Sequence, residues 1–187
     1  MDKIRQHFEQ LVPLSEEEWE DISKGFYRQE CAKGELILSQ GDECDFIAFI
    51  EIGLFRFYHV KDGSEKIITF WFSGDVFSEY RSYITHTPST NYIESMQDGI
   101  IWKIKREHML DLYDKYPNLE RLGRKFAERT YLKLADRLDS FLQDSPKERY
   151  LDLLNRNPNF VQEIPQYMIA SFLGISAESL SRLRKRI

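Results

Sequence analysis

Residues 26–105 constrain the fold more than any other part of this chain. Short apolar segments recur there: Glu35-Leu-Ile-Leu38, Phe46-Ile-Ala-Phe-Ile50, Leu54 to Val60, Ile67 to Phe72, Tyr92-Ile93 and Ile100 to Ile104. Turn-forming pairs separate them: Lys33-Gly34, Gly41-Asp42, Gly53, Asp62-Gly63, Ser73-Gly74-Asp75 and Asp98-Gly99. Apolar runs this short, bounded by Gly and Asp, suit strands better than helices. Their close, regular spacing predicts an all-β barrel or jelly roll. Within Leu54 to Val60, Phe55, Phe57 and His59 alternate with Arg56 and Tyr58, which predicts one buried and one polar face. Asp62-Gly63 is the expected tip of a hairpin.

Helical patterns flank this region. Ile4, Phe8 and Leu11 recur at helical spacing up to Pro13. Ser15-Glu16-Glu17-Glu18 reads as a capping box that starts a short helix through Trp19, Ile22 and Ser23 to Gly25. Beyond Arg106, Tyr116-Pro117-Asn118 opens a helix of about 25 residues, roughly 38 Å long, that breaks near Asp144-Ser145-Pro146. Leu119, Leu122, Phe126, Leu134, Leu138 and Phe141 follow a three-or-four spacing along it. A striped helix this long beside a β domain is expected to pair with a second subunit. Another short helix is expected from Pro146 to Asn155, ending near Asn157-Pro158. The class is α+β. The expected domains are residues 1–115, a long helix over 116–143, and 144–187.

Residues 164–187 carry the sharpest motif. Pro165 suits the first position of a helix whose inward face is Ile169, Ala170 and Leu173. Gly174 stands where a tight turn needs positive φ, and Ile175 fills the gap between the two helices. Ser176 caps a second helix, with Glu178 and Ser179 in its first turn and Leu180 and Leu183 facing the core. This is helix-turn-helix spacing. The second helix presents Ala177, Glu178, Ser181, Arg182, Lys185 and Arg186 outward. Arg182 can donate two hydrogen bonds to a guanine edge, Glu178 can accept one from cytosine, and the basic tail can neutralise phosphates.

Composition excludes several alternatives. With 187 residues, 42% hydrophobic and 30% charged, the chain can bury a core and is not expected to be disordered. Two cysteines, Cys31 and Cys44, cannot ligate an iron–sulfur cluster or an all-cysteine zinc site, and the four histidines show no ligand spacing with them. No metal site, cofactor or catalytic set is expected, so the chain is not read as an enzyme. The charged start MDKIRQHFEQ lacks an apolar signal region, and no stretch is long enough to span a bilayer. A cytoplasmic protein without membrane contact is expected. The net charge of −5 speaks against nucleic acid until it is divided by region. Residues 160–187 hold four basic and two acidic groups, or +2, which leaves −7 for the rest.

The order of barrel, long helix and helix-turn-helix, together with Lys33-Gly34-Glu35, Gly41-Asp42, Ile52-Gly53 and Gly74-Asp75, resembles the cyclic-AMP receptor / fumarate-nitrate regulator (Crp/Fnr) family of bacterial transcription factors. The resemblance implies a homodimer that binds double-stranded DNA, with RNA polymerase as a further partner and a small-molecule effector in the barrel. It places Glu178 and Arg182 at base-reading positions, and Gln166 and Tyr167 at the phosphate-contacting start of the first helix, beside Ser176, Ala177, Ser181, Lys185 and Arg186. The effector pocket maps onto Glu79, Tyr80, Arg81, Ser89 and Thr90. In nucleotide-binding members an Arg neutralises the cyclic phosphate. Here Ser89 takes that place, so cyclic AMP is not the expected effector. Trp71, Phe72, Phe77 and Tyr80 could instead line an apolar site or pack as core. Many members continue into a β-wing. This chain stops at Ile187, and the wing is expected to be absent. The competing reading is a ligand sensor or scaffold that does not bind DNA.

Overall fold

The computed structural model describes residues 1–156 and 160–185. The expected helix break at Asn157-Pro158, and Arg186 of the second motif helix, lie outside the described residues. Two helices, α1 (Asp2–Glu9) and α2 (Glu16–Lys24), precede eight strands: β1 (Phe26–Cys31), β2 (Leu36–Leu38), β3 (Phe46–Ile52), β4 (Leu54–Lys61), β5 (Ser64–Phe72), β6 (Val76–Phe77), β7 (Tyr92–Ser95) and β8 (Gly99–Lys105). Helix α3 (Tyr80–Thr85) lies between β6 and β7. There follow α4 (Arg106–Lys115), α5 (Pro117–Gln143), α6 (Pro146–Arg156), α7 (Phe160–Glu163), α8 (Gln166–Leu173) and α9 (Ala177–Arg184). The α+β jelly roll with a long helix after it is as the spacing predicts.

The strands form two four-stranded sheets, in the orders β1-β8-β3-β6 and β2-β7-β4-β5. Their facing sides bury Ile37, Phe46, Ala48, Ile50, Phe55, Phe77, Ile93 and Ile101. The outer side of the first sheet is covered by helices, where Phe49 and Ile104 meet Ile4 and Phe8 of α1, Ile22 of α2, Met109 and Leu112 of α4, and Leu119 and Leu122 of α5. Each fully buried Ile, Leu or Phe contributes about 1.5–3 kcal/mol. The chain divides into two compact units, residues 1–59 with 69–127 and residues 60–68 with 128–187. The long helix therefore contributes to both units, and the hairpin tip groups with the C-terminal helices.

Local signals resolve as read. Ser15 Oγ accepts from the Glu18 N–H at 3.2 Å, and the Ser15 N–H donates to Glu18 Oε2 at 2.8 Å, which closes the capping box. Asp62 and Gly63 both have positive φ, 52° and 71°, as a two-residue hairpin turn of the mirror-image type demands. The alternation expected in β4 fails. Phe55 is in the core, but Arg56 and Tyr58 on the opposite face are buried too, at 7% and 6% exposed. The reason is Glu94 of β7, opposite Arg56 in register, whose Oε2 accepts from Arg56 Nη2 at 2.7 Å and from the Tyr58 hydroxyl at 3.0 Å. The guanidinium also lies 4.2 Å from the centroid of the Tyr58 ring. A polar residue in a periodic strand was buried by a partner that periodicity cannot show.

Asp21 ties α2 to the helices that follow the barrel. It accepts from Lys115 Nζ at 2.6 Å, from the Tyr116 hydroxyl at 2.8 Å and from Lys24 Nζ at 3.2 Å. These donors, Lys115 foremost, hold its carboxyl well below its ordinary 3.8. A depressed carboxylate stabilises the fold fully above its unfolded pKa and loses that effect as pH falls through the folded one. Thermal unfolding from pH 7 to pH 2 is expected to show Asp21→Asn less stable than wild type at neutral pH. The difference should begin to narrow below about pH 4 and keep shrinking toward pH 2. A pH-independent gap would remove Asp21's charge from the account.

Candidate nucleic-acid interface and effector site

Helices α8 and α9 are built by the local rules that the sequence suggested. Met168, Ile169, Ala170 and Leu173 are buried, and Leu180 of α9 is fully so. Leu183 is only partly buried, short of the core position expected for it. Gly174 ends α8 at φ 71°, a left-handed cap. A side chain there would also meet Phe141, since a Cβ would sit 2.7 Å from its ring. Ser176 caps α9 by accepting from the Ser179 N–H at 3.2 Å. Ala177, Glu178, Ser181, Arg182 and Lys185 are all exposed, as are Gln166 and Tyr167 at the start of α8. The described residues among those expected to contact DNA thus lie exposed at the start of α8 and along α9. Arg182 Nη2 donates to Ser179 Oγ at 3.2 Å, which orients the guanidinium along the helix. Glu178 is held below its usual range by its own backbone N–H and by the Ser176 hydroxyl, so it is a carboxylate acceptor.

What fixes α8 was not legible in the sequence. Arg137 of α5 donates to the Phe172 carbonyl at 2.9 Å, and Arg149 of α6 donates to the Leu173 carbonyl at 3.1 Å. Two cations therefore sit on the last carbonyls of α8, the negative end of its dipole. The Arg137 guanidinium lies 3.9 Å from the Phe172 ring centroid and 5.0 Å from that of Phe141, and Arg149 lies 4.9 Å from Phe141. Burial, then repulsion from Arg149, lowers the Arg137 pKa to about 10, which still leaves it charged at neutral pH. Phe141, part of the stripe expected to pair with a second subunit, lies between the α8–α9 turn and these arginines and stays 39% exposed. On the other side of α8, Ser171 Oγ accepts from the Ile67 N–H at 3.0 Å and donates to the Glu65 carbonyl at 3.3 Å, joining the β4–β5 hairpin to the motif.

Of the effector-pocket residues, Glu79 and Ser89 come together at Asn91, and the others lie apart. Glu79 is 5% exposed and caps α3, with Oε2 accepting from the Ser82 N–H at 2.6 Å and Oε1 lying 3.5 Å from the Asn91 amide. Ser82 in turn accepts from the Cys44 N–H and donates to the Thr87 carbonyl. Ser89 is buried, and its Oγ bonds both backbone groups of Asn91. Its own backbone pairs with the Gly41-Asp42 turn. Arg81 and Thr90 are exposed, and Tyr80 lines a cavity on a different side of α3. Trp71 stacks on Phe77 at 5.0 Å and packs near Phe57 at 5.4 Å inside the barrel, as core. A cyclic nucleotide would need Glu79 freed from its cap and a cation at Ser89, so these residues fit such a ligand poorly. One cation does lie inside the barrel. Lys103, 8% exposed, has its ammonium 3.8 Å from the Phe46 ring centroid, and burial lowers its pKa. Cys31 and Cys44 are free, buried thiols whose pKa values burial raises, Cys31 to about 11. Among the described residues no group of three or more His, Cys, Asp or Glu is arranged to hold a metal, and no helix is long and apolar enough to cross a membrane.

Residues 28–116 match the family model of the cyclic nucleotide-binding domain. Solved structures of similar fold include FixK2 from Bradyrhizobium japonicum, at TM-score 0.72 and 18% identity over 86% of this chain and 83% of that one. A protein described as a Crp/Fnr-family transcriptional regulator from Eubacterium rectale matches at TM-score 0.71 and 19% identity, over 92% and 83%. The catabolite activator protein of Thermus thermophilus matches at 0.59 and 19%, over 92% and 83%. No curated protein sequence matches. The barrel is thus similar to cyclic nucleotide-binding domains. With the long helix and the C-terminal helices that follow, its fold is similar to that of these three structures.

Three variants test these assignments. Glu79→Ala is expected to lose about 1–2 kcal/mol in urea unfolding, whereas Glu79→Gln, which keeps an acceptor for Ser82, stays near wild type. Arg137→Ala is expected to lower stability by about 1.5–3 kcal/mol through its charged hydrogen bond to the α8 end. An unchanged midpoint for Arg137→Ala would mean that α8 is held by other contacts.

Proposed function

We propose that this chain is a homodimeric, sequence-specific DNA-binding transcription regulator in which α9 reads the major groove. The observation that carries the reading is the capped α8–α9 motif. Its buried face is closed by Ile169, Leu173 and Leu180, while the exposed face carries Glu178, Ser181, Arg182 and Lys185. A helix made for protein contact would present apolar side chains there, and this one presents a bidentate donor, an acceptor and cations. Gln166 and Tyr167 are placed for the flanking phosphates.

The homodimer rests on α5. Tyr131, Leu134 and Leu138 are 71%, 57% and 60% exposed at heptad spacing, and Leu142 is 74% exposed one turn further on. Such a seam is what a two-stranded coiled coil buries. In this reading the effector is a molecule other than cyclic AMP, because Glu79 serves α3 and Ser89 supplies no cation.

Duplex DNA from upstream of its own gene should bind the purified protein, with affinity falling steeply as salt rises. Arg182→Ala should remove sequence preference worth about 1–3 kcal/mol while weaker, non-specific binding persists. Equal discrimination with and without Arg182 would refute the readout. Leu138→Glu should convert the dimer to monomer in sedimentation at micromolar concentration and weaken DNA binding with it. A variant that stays dimeric would place the interface elsewhere.

A further inference from the structure

A cavity of about 290 Å³ lies beside the barrel, walled by Phe8 of α1, Tyr80 and Tyr83 of α3, Met109 and Tyr113 of α4, and Phe126 of α5. Glu79, Ser89 and Thr90 do not line it, so it is separate from the nucleotide cassette. We propose that it is a binding site for a small, uncharged aromatic molecule carrying one hydrogen-bond acceptor.

Four features support the assignment. The Tyr83 hydroxyl is buried and has no hydrogen-bond partner among the described residues, although the side chain is only 7% exposed. Buried hydroxyls are almost always paired, and an orphan facing a cavity marks a place for a ligand atom. The Tyr80 and Tyr83 rings are stacked, with centroids 6.0 Å apart and planes at 12°, and with Phe8 and Phe126 they give the walls an aromatic character. The third feature is Gly123, a residue unfavourable inside a helix. A Cβ there would lie 2.5 Å from the Tyr113 hydroxyl, so the glycine lets this phenol lie against α5 at the cavity wall. Finally, the charged lining residues, Glu120 and Arg124, have opposite signs, and the interior is otherwise apolar, which disfavours an ion. Burial, and next the neighbouring Tyr80, pushes the Tyr83 phenol up to about 12, so it is a neutral donor. A cavity of about 150 Å³ holds benzene, and ligand pockets begin near 300 Å³, so this one suits a single substituted ring. Bound there, the ring would touch both α3 and the start of α5.

The test uses the full chain with acetophenone and with ethylbenzene, which lacks the carbonyl. Acetophenone is expected to bind saturably, one per chain, with nuclear Overhauser contacts to Tyr80 and Met109. Tyr83→Phe should weaken acetophenone about tenfold and leave ethylbenzene unchanged. The same variant should unfold at or above the wild-type temperature, because it removes an unpaired hydroxyl. No saturable binding, contacts outside the cavity, or acetophenone affinity indifferent to Tyr83→Phe would each overturn the proposal.

Discussion

The C-terminal helices depend on how the end of α8 is held. Its last carbonyls lack helical partners and would stay unpaired against the packed side of the motif. Arg137 and Arg149 reach them from α5 and α6, and Phe141 fills the space between the arginines and the turn. Gly174 is required twice over, by its left-handed conformation and by the ring that occupies its Cβ position. The orientation of α9 follows, because Ser176 starts it two residues after that turn. The face that would meet DNA is thereby set by main-chain carbonyls, two cations and one aromatic wedge.

The barrel meets its polar groups differently. Buried Arg56 pairs with half-buried Glu94, with the Tyr58 hydroxyl on the same carboxylate oxygen, and the Tyr58 ring stacks on Tyr92 at 5.2 Å. Removing one partner of such a pair leaves a buried charge, so the network fixes strand register more than it adds stability. Glu79 is likewise committed to the start of α3, and Ser89 to the turn opposite Gly41 and Asp42.

Features set by neighbours in sequence were legible. The capping box at Ser15, the Asp62-Gly63 turn, the αL cap at Gly174 and the cap at Ser176 each follow from local chemistry, so the helix-turn-helix could be placed closely, although Pro165 is the N-cap of α8 rather than its first residue and Leu183 is only partly buried. Features set by distant partners were not. Periodicity put Arg56 and Tyr58 on a polar face because nothing in β4 announces Glu94. A helical stripe grouped Phe141 with Leu134 and Leu138, though a turn 33 residues on claims it. Arg137 and Arg149 bind carbonyls, which have no residue signature. Lys103 sits at an inward position of β8, and alternation with Ile101 could have found it. The regional charge division pointed to the same end of the chain as the motif, because it counts exposed groups that have no need of a specific partner.

Backbone amide NMR of the protein titrated with a cognate duplex tests the account most directly. Shifts should concentrate at Gln166 and Tyr167 and along Ser176 to Lys185, with the barrel sheets little changed. Absence of shifts, or the largest ones in the β strands, would contradict the assignment of α8 and α9 as the DNA-reading surface.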